Sequence, residues 1–514
     1  MPSRRLKPLK RVLIANRGEI AVRIIRACHE LGIEAVAVYS DVDRDSLAVR
    51  LADAAYPIGP APANESYLVI DKLLDVAKRS GADSVHPGYG FLAESPDFAA
   101  RAEKAGLTYI GPSPEAIRDM GNKTIAKITA KRAGIPTVPG DDTPLESLDD
   151  AARVAAGIGY PVMLKAAMGG GGRGMRLVQS AGGLEQAFRA ARSEAKAAFG
   201  DESVYLEKYI NEPRHIEFQV FGDHDGNVIH LGERDCTLQR RHQKLLEEAP
   251  SPFLDQDLRE RMGAEAVKIA RAVNYVGAGT VEFLVDGNRN FYFMEMNTRI
   301  QVEHPVTEMI TGVDLVREQI LVAGGAPLSI TQDQVRINGW SIECRINAED
   351  PFRGFTPNPG RIEEIRFPAG GGVRVDSGAF AGYTIPRQYD SMIAKVIVHA
   401  PDRDAAIRKM RMALEELQIQ GIKTTQAFHA AILGSEDFRL ANFDTNYIGK
   451  HGEALLDRYH APEELAALAT AIEVFLYTRR KPAPDKAARR SNGRTSSSGW
   501  KVAARRDAAR PWGY

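Results

Sequence analysis

The densest run of chemistry-bearing residues lies between Glu282 and His304. Thr280-Val-Glu282-Phe-Leu-Val is followed by Asn290-Phe-Tyr-Phe-Met-Glu295-Met-Asn297-Thr-Arg299-Ile-Gln301-Val-Glu303-His304. In an extended chain successive side chains alternate, so Glu295, Asn297, Arg299, Gln301 and Glu303 share one face, with Met296, Ile300 and Val302 on the other. Carboxylates such as Glu282 and Glu295, with the amide oxygen of Asn297, are hard oxygen donors of the kind Mg²⁺ takes while bridging nucleotide phosphates. Arg299 could hold an anionic second substrate and Glu303 could act as a base. The alternative is a solvated sheet face laced by cross-strand ion pairs. The core-like flanks Phe291-Tyr-Phe and Val302 argue against it.

Upstream, Lys165-Ala-Ala-Met-Gly169-Gly-Gly-Gly172-Arg-Gly174-Met-Arg176 follows an apolar strand signal. Glycines let successive backbone N–H groups close on a phosphate chain, and Lys165 adds a cation beside them. Five glycines in six positions after a strand-end lysine favour phosphate binding over a flexible hairpin loop. The spacing is not G-x-x-x-x-G-K-[ST], which excludes a P-loop. Glu233-Arg-Asp-Cys-Thr-Leu-Gln239-Arg-Arg241-His242-Gln-Lys244 follows the strand signal Val228-Ile-His-Leu231. Ordinarily a solvated charged loop, here it offers cations for phosphate or carbonate oxygens. His86-Pro-Gly-Tyr-Gly90-Phe-Leu-Ala-Glu94 is turn chemistry first and site second, His399 reads as structural, and Cys236 and Cys344 read as small buried residues.

These residues need elements to hold them. The opening reads as strand (Arg11 to Ala15), tight turn, helix (Ile20 to Leu31) and strand (Ala35 to Tyr39), a βαβ unit. A helix at Lys72 to Arg79 and strand signals at Ser84-Val-His86 and Leu107 to Ile110 extend it, so the first ~120 residues look doubly wound. The first turn lacks G-x-G-x-x-G, which weakens a dinucleotide reading. From Ile135, a strand, the glycine loop, a helix (Leu184 to Phe199) and a strand (Val204 to Ile210) look like a small α+β lid. Strand signals dominate from Arg214 to Glu303, broken by a helix near Leu258 to Asn274; Gly339 to Ile448 carries further strands, then the helix Asp404 to Leu417.

At 514 residues the chain exceeds what one core usually supports, so several domains are expected. With 44% hydrophobic and 26% charged residues it can bury sizeable cores. Lys+Arg and Asp+Glu balance at 67 each, so no global charge argues for nucleic acid. There is no signal h-region and no apolar run of ~18 residues, so a soluble, cytoplasmic protein without a membrane span is expected. Three well-separated cysteines, Cys28, Cys236 and Cys344, fit a reducing compartment and no zinc site.

Six stretches, in order over roughly residues 10 to 450, resemble one family: Ile14-Ala-Asn-Arg-Gly-Glu-Ile20, His86 to Glu94, Gly169 to Arg176, Glu233 to Lys244, Glu295 to Glu308 and Glu343-Cys-Arg-Ile-Asn-Ala-Glu-Asp-Pro351. The chain resembles the biotin carboxylase component of biotin-dependent carboxylases, an ATP-grasp enzyme of the acetyl-CoA or acyl-CoA carboxylase or two-subunit pyruvate carboxylase type. The resemblance implies an α/β fold with a doubly wound N-terminal domain (1–121), an ATP-grasp domain with a mobile lid (122–330, lid about 135–210), a C-terminal α+β domain (331–450) and a basic tail (451–514). It implies carboxylation of biotin N1 by bicarbonate and ATP through carboxyphosphate. Carried over by position, Lys123, Lys165, Glu207, Lys208, Ile210, His215, Gln239 and His242 would line the nucleotide, with Gly169, Gly170, Gly171 and Gly172 over its phosphates. Glu282, Glu295 and Asn297 would hold Mg²⁺ (or Mn²⁺). Lys244, Arg299, Gln301 and Val302 would position bicarbonate, Glu303 would deprotonate it, and Arg345 would stabilise the biotin enolate.

Two signals pull the acceptor in different directions. Met168 precedes the four glycines, as in pyruvate carboxylases, whereas His304-Pro-Val-Thr-Glu308 and Glu343 to Ala348 look like the acyl-CoA branch of fatty acid metabolism. No Met-Lys-Met-like hairpin for attached biotin occurs, so a biotin carboxyl carrier protein and carboxyltransferase subunits are expected as partners, in a homodimer or larger complex. Another ATP-grasp ligase is the enzymatic alternative, from which Arg345 and the residues after it discriminate; a scaffold with a dead nucleotide fold is the non-enzymatic one. The tail from Arg479 carries eleven Lys or Arg against Asp485 and Asp507, yet also Trp500, Val502 and Trp512. Gly499 to Tyr514 is therefore expected to dock on a partner or a second copy rather than on nucleic acid.

Overall fold

The computed structural model describes residues 7–140, 143–166, 175–457, 468 and 470–475. The chain divides into two units, Met1–Tyr459 and His460–Tyr514. Of the second, residues 470–475 are helical; the expected docking segment Gly499 to Tyr514 lies outside the described residues, as do Gly169 to Gly174. Among the described residues no helix is long and apolar enough to cross a membrane.

Five parallel strands open the first unit, in the spatial order Ala54–Gly59, Glu34–Ser40, Arg11–Ile14, Ser84–His86, Thr108–Tyr109. In the central strand Val12 and Ile14 pack on one face with Ile20, Ile24 and Ile25 of the helix Gly18–Glu30. Leu13 and Ala15 pack on the other with Leu73 and Val76 of the helix Ile70–Ser80. A strand covered on both faces must be apolar at consecutive positions, which is why Val-Leu-Ile-Ala does not alternate with polar residues. The strand order reverses beside Arg11–Ile14, and the crevice past the strand ends at such a point is where α/β sheets place ligands. Asn16 closes that crevice's edge by donating from Nδ2 to the carbonyls of Pro87 and Tyr89, both at 2.7 Å.

The second sheet has eight antiparallel strands in the order Phe291–Asn297, Gly277–Val285, Arg214–Gly222, Val228–Arg240, Gln243–Ala249, Trp340–Asn347, Met392–Ala400, Val373–Ser377. The last three come from beyond residue 331, so the sheet runs without a break across the place where the chain was divided. Leu246 pairs with Cys344 and Glu247 with Glu343 at that junction. Past residue 450, the helix Tyr447–Asp457 continues and buries Leu455 in the same core as Ile342 and Val396.

One expectation needs correcting. The extended run that placed Glu295 to Glu303 on one face ends at Asn297, the last residue paired with the neighbouring strand, through Thr280. Gln301 to His304 form a turn closed by His304 N–H on the Gln301 carbonyl at 3.3 Å, and the helix His304–Thr311 follows. Pro305 lies in that helix's first turn, where its missing N–H costs nothing, so the chain leaves the strand and enters the helix.

A separate small layer holds the antiparallel strands Arg176–Val178, Val162–Ala166 and Val204–Lys208 against the helices Leu148–Ile158 and Leu184–Phe199. Val162, Leu164, Phe188 and Leu206 form its own core. Its link to the large sheet is backbone pairing: Lys208 N–H bonds the Pro139 carbonyl, and Phe293 N–H the Pro136 carbonyl, each at 2.7 Å.

Candidate active site

The small layer, the large sheet and the switch-point crevice enclose a cavity of about 1020 Å³. Every candidate side chain named from the sequence lines it, except the glycines Gly169 to Gly172, which lie outside the described residues.

At one end, Lys165 and Glu207 come from neighbouring strands of the small layer. Glu207 accepts from Lys165 at 2.5 Å and from Lys127 at 2.8 Å. Burial alone would raise this carboxyl, but Lys165 and Lys127 outweigh it and hold it below the usual carboxylate range. The site thus keeps two cations fixed in its wall. Lys127 was missed, although its spacing four residues after Lys123 in the helix Lys123–Arg132 puts both on one helix face. Lys208 lines the cavity with its stem while its ammonium donates to the carbonyls of Gly159 and Tyr160 at 3.0 Å. Arg241 and His242 form the two-residue hairpin loop between Val228–Arg240 and Gln243–Ala249, at φ 50° and 63°. Both positive angles are what a type I′ hairpin turn requires, and the turn sets His242 at the cavity edge.

At the centre, strand register builds a row of acids. Glu295, Glu282 and Glu217 stand directly opposite one another on three adjacent strands, and Arg234 continues the row. Lys244 reaches in from the next strand and donates to Glu217 at 2.5 Å, Glu282 at 3.2 Å and Glu303 at 2.6 Å. Burial would lower this ammonium's pKa, but the three carboxylates raise it well above normal. Asn297 and Gln301 donate to Glu282 at 2.8 and 2.9 Å, His215 Nε2 lies 2.9 Å from its other oxygen, and Gln239 stands 2.7 Å behind His215. Glu282 is consequently held well below the usual range, Lys244 and His215 overcoming the effect of burial. Glu217 was not singled out from the sequence, and Arg234 entered only as part of the stretch Glu233 to Lys244. The signal existed in the alternation of His215, Glu217 and Gln219 with the core residues Ile216, Phe218 and Val220.

Glu303 marks the other end. Lys244 donates to its Oε1, and Arg345 to its Oε2 at 2.9 Å. Burial raises its pKa, while Lys244, Arg345 and Arg234 together bring it well below normal. Arg345 also bonds Glu247 at 2.6 Å, yet burial still pushes Glu247 up to about 7. Arg299, read from the sequence as a holder of an anionic substrate, is already paired: Glu94 accepts from it at 3.0 Å and Asn297 at 3.1 Å. The turn His86 to Glu94 therefore supplies a partner to the site. Arg17, Glu19 and the Val302 backbone close this end of the cavity.

The donor set suits a hard divalent cation. Glu282 and Glu295 face the cavity from paired positions, with Lys123 3.5 Å from Glu295 and the lysines of the small layer placed for phosphate oxygens. His215, Glu217 and Glu282 form another grouping of metal-capable atoms, all within 4.8 Å of one another. Lys244 and Arg234 already neutralise that group.

Three family matches cover the first unit in succession: "Biotin carboxylase, N-terminal domain" over residues 8–117, "Carbamoyl-phosphate synthase L chain, ATP binding domain" over 122–331 and "Biotin carboxylase C-terminal domain" over 343–450. Biotin carboxylase 1 of Bacillus subtilis is 55% identical over 441 residues, covering 86% of this chain and 98% of its own. A pyruvate carboxylase subunit of Methanothermobacter thermautotrophicus is 51% identical over 488 residues, covering 91% of this chain and 99% of its own. Among solved structures, the biotin carboxylase domain dimer of Hydrogenobacter thermophilus 2-oxoglutarate carboxylase, in complex with MgADP, ADP and bicarbonate, superimposes with a TM-score of 0.84 at 51% identity, covering 87% of this chain and 99% of that one.

Proposed function

We propose how this cavity divides its work, from the premise that the chain belongs to the biotin carboxylase family and carboxylates biotin with ATP and bicarbonate. The observation that carries the division is Glu303, a buried carboxylate gripped on both oxygens by cations from two different strands.

The nucleotide lies along the small layer, against Lys123, Lys165, Glu207, Lys208, Ile210, His215, Gln239 and His242, with Gly169 to Gly172 over its phosphates. Residues 135–210 act as a lid that excludes water while phosphoryl transfer proceeds. Glu282, Glu295 and Asn297 would hold Mg²⁺ or Mn²⁺, which supplies neutralisation of phosphate charge when bound. Lys244, Arg299, Gln301 and the Val302 backbone position bicarbonate beside Glu303. With both oxygens on cations, Glu303 is ionised but a weak base. An anionic substrate that recruits Lys244 and Arg345 to itself loosens that grip and raises the proton affinity of Glu303 as the complex forms. Glu303 then takes the bicarbonate proton, the carbonate oxygen bonds to the γ-phosphorus as ADP leaves, and carboxyphosphate is confined beside Arg345, which stabilises the enolate form of biotin.

Measuring bicarbonate-dependent ATP hydrolysis with and without free biotin tests this. Biotin stimulation is expected, and its loss in Glu303→Gln with nucleotide affinity retained. Turnover that ignores biotin would favour an ATP-grasp ligase of another kind, and a Glu303→Gln variant that carboxylates normally removes the base.

Finer assignments follow the sequence. We divide the chain at about 121, 330 and 450, and place it in the cytoplasm as one member of a dimeric or larger assembly. A biotin carboxyl carrier protein presents the biotin and a carboxyltransferase passes the carboxyl group to acetyl-CoA or another acyl-CoA, as His304 to Glu308 and Glu343 to Ala348 suggest. Pyruvate is the second acceptor reading, favoured by Met168 and by the longer match to the pyruvate carboxylase relative. Gly499 to Tyr514 dock on the carrier or transferase partner, or on a second copy of this chain. Carboxyl transfer assayed with each acceptor and the purified partners separates these readings.

A further inference from the structure

We propose that Lys395 is a positioning residue for the reaction, clamping the carbonyl of Val302 and so fixing the backbone turn that presents Glu303, while Glu19 ties the clamp to the N-terminal helix. This rests on the reading of Glu303 as the base.

Lys395 stands in the strand Met392–Ala400, directly between Arg345 on one neighbouring strand and Asp376 on the other. It is 0% exposed. An ammonium that deep persists only when paired. Its Nζ donates to the Val302 carbonyl at 2.8 Å and lies 3.1 Å from Glu19 Oε1 and 3.8 Å from Asp376. Arg374 already grips both oxygens of Asp376, at 2.8 and 2.7 Å. Val302 and Glu19 are therefore the closer partners of Lys395. Glu19 also accepts from the Tyr89 hydroxyl, and its Oε2 has no hydrogen-bond partner. One buried cation thus joins the helix Gly18–Glu30, the turn after Ser84–His86 and the residue next to the base.

Val302 and Glu303 are the two central residues of the turn closed by His304 N–H on the Gln301 carbonyl. Glu303 sits at φ −81°, ψ 10°, the third position of a type I turn, so the central carbonyl belongs to Val302. Rotating that peptide to the type II form needs a positive φ at Glu303, unfavourable for any residue but glycine or asparagine. A cation on the same carbonyl deepens the preference. Arg345, opposite Lys395 in register, holds the carboxylate of Glu303. Two cations side by side on adjacent strands therefore secure the main chain and the side chain at one residue.

Lys395→Met keeps the apolar stem and removes the donor. Arg374 still holds Asp376 when the donor is lost, but Glu19 and the buried Glu343 lose a nearby cation, so the melting temperature is measured before the kinetics are read. In carboxylation of free biotin by the full chain, kcat should fall roughly 10- to 100-fold, and the bicarbonate KM should rise by about tenfold while the ATP KM stays within about twofold. Lys395→Gln, whose amide can still donate to the carbonyl, should recover part of both losses. A Met variant equal to the parent overturns the clamp. So does a loss in which ATP and bicarbonate KM rise together and Gln does no better than Met. Should the Met variant not fold, the Gln variant decides alone, by whether its defect is confined to bicarbonate or spread over both substrates. Glu303→Gln, assayed in parallel, keeps the two ideas apart: normal carboxylation there removes the base reading, whereas its loss beside an unaffected Lys395→Met removes only the clamp.

Discussion

Glu295 and Glu282 differ in what surrounds them, although register sets them face to face. Glu282 is buried under Lys244, His215, Asn297 and Gln301, whereas Glu295 has Lys123 at 3.5 Å and is one-third exposed. The more open carboxylate is the one a phosphate-bound cation can reach without displacing a hydrogen-bond network. Glu295→Gln removes one negative charge at that point, so ATP turnover should drop by several orders of magnitude with the melting temperature unchanged. Near-normal turnover at saturating Mg²⁺ would show that Glu295 does not serve the metal.

At the scale of elements, Arg234 is the tie between strands. Fully buried, it donates to Glu217 at 2.5 Å, Gln219 at 2.7 Å, Thr280 at 3.1 Å, Gln301 at 2.8 Å and Thr307 at 3.0 Å, so three strands, the turn before Glu303 and the helix after it meet on one guanidinium. Arginine suits this role because its planar fork offers five donors in fixed directions. Removing one partner from a buried charge pair leaves the other uncompensated. Arg234→Met should therefore destabilise the protein by about 3–5 kcal/mol in equilibrium denaturation. A change below about 1 kcal/mol would mean that Lys244 compensates Glu217 unaided.

For the whole molecule, buried histidines couple stability to pH. His86, at the end of Ser84–His86, accepts the Gly88 N–H on Nδ1 at 3.0 Å, and burial with Arg23 nearby pushes it down to about 3. Its folded pKa lies below the ordinary value near 6.5, so the unfolded chain takes up a proton first. Its contribution is complete above pH ~6.5 and is lost as pH falls from there toward 3. Glu247, raised to about 7, acts in the opposite sense, favouring the folded state as pH falls from 7 toward its unfolded value. The difference between parent and variant isolates the histidine. His86→Asn should show a stability profile flatter by up to ~1.4 kcal/mol per pH unit between pH 6 and 4.5. Parallel profiles would mean that His86 takes a proton in the folded protein.

The strand from Arg11, the helix at Leu184 to Phe199 and the candidates Lys165, Glu282, Glu295, Asn297, Arg299 and Glu303 were legible in the sequence, because each depends on local periodicity or on residue types at short spacing. Lys123, Glu207, Lys208, Ile210, His215 and Arg345, by contrast, were reached only through the family resemblance. What stayed hidden depends on register and on distance along the chain. Glu94 meets Arg299 and Glu19 meets Lys395 only because the switch-point crevice of the parallel sheet closes over the edge of the antiparallel one. Strands from beyond residue 331 join that sheet through pairs such as Glu247 with Glu343, a choice made by backbone hydrogen bonds that carry no mark in either segment. Even the polar face from Glu295 to Glu303 came together by another route than alternation: the strand ends at Asn297, and a turn at Val302 and Glu303 swung the base between Lys244 and Arg345. Local spacing selects which side chains can do the chemistry. Their charge states arise only where folding buries acids from one strand beside cations from others, since a charge out of water takes its pKa from its nearest neighbours.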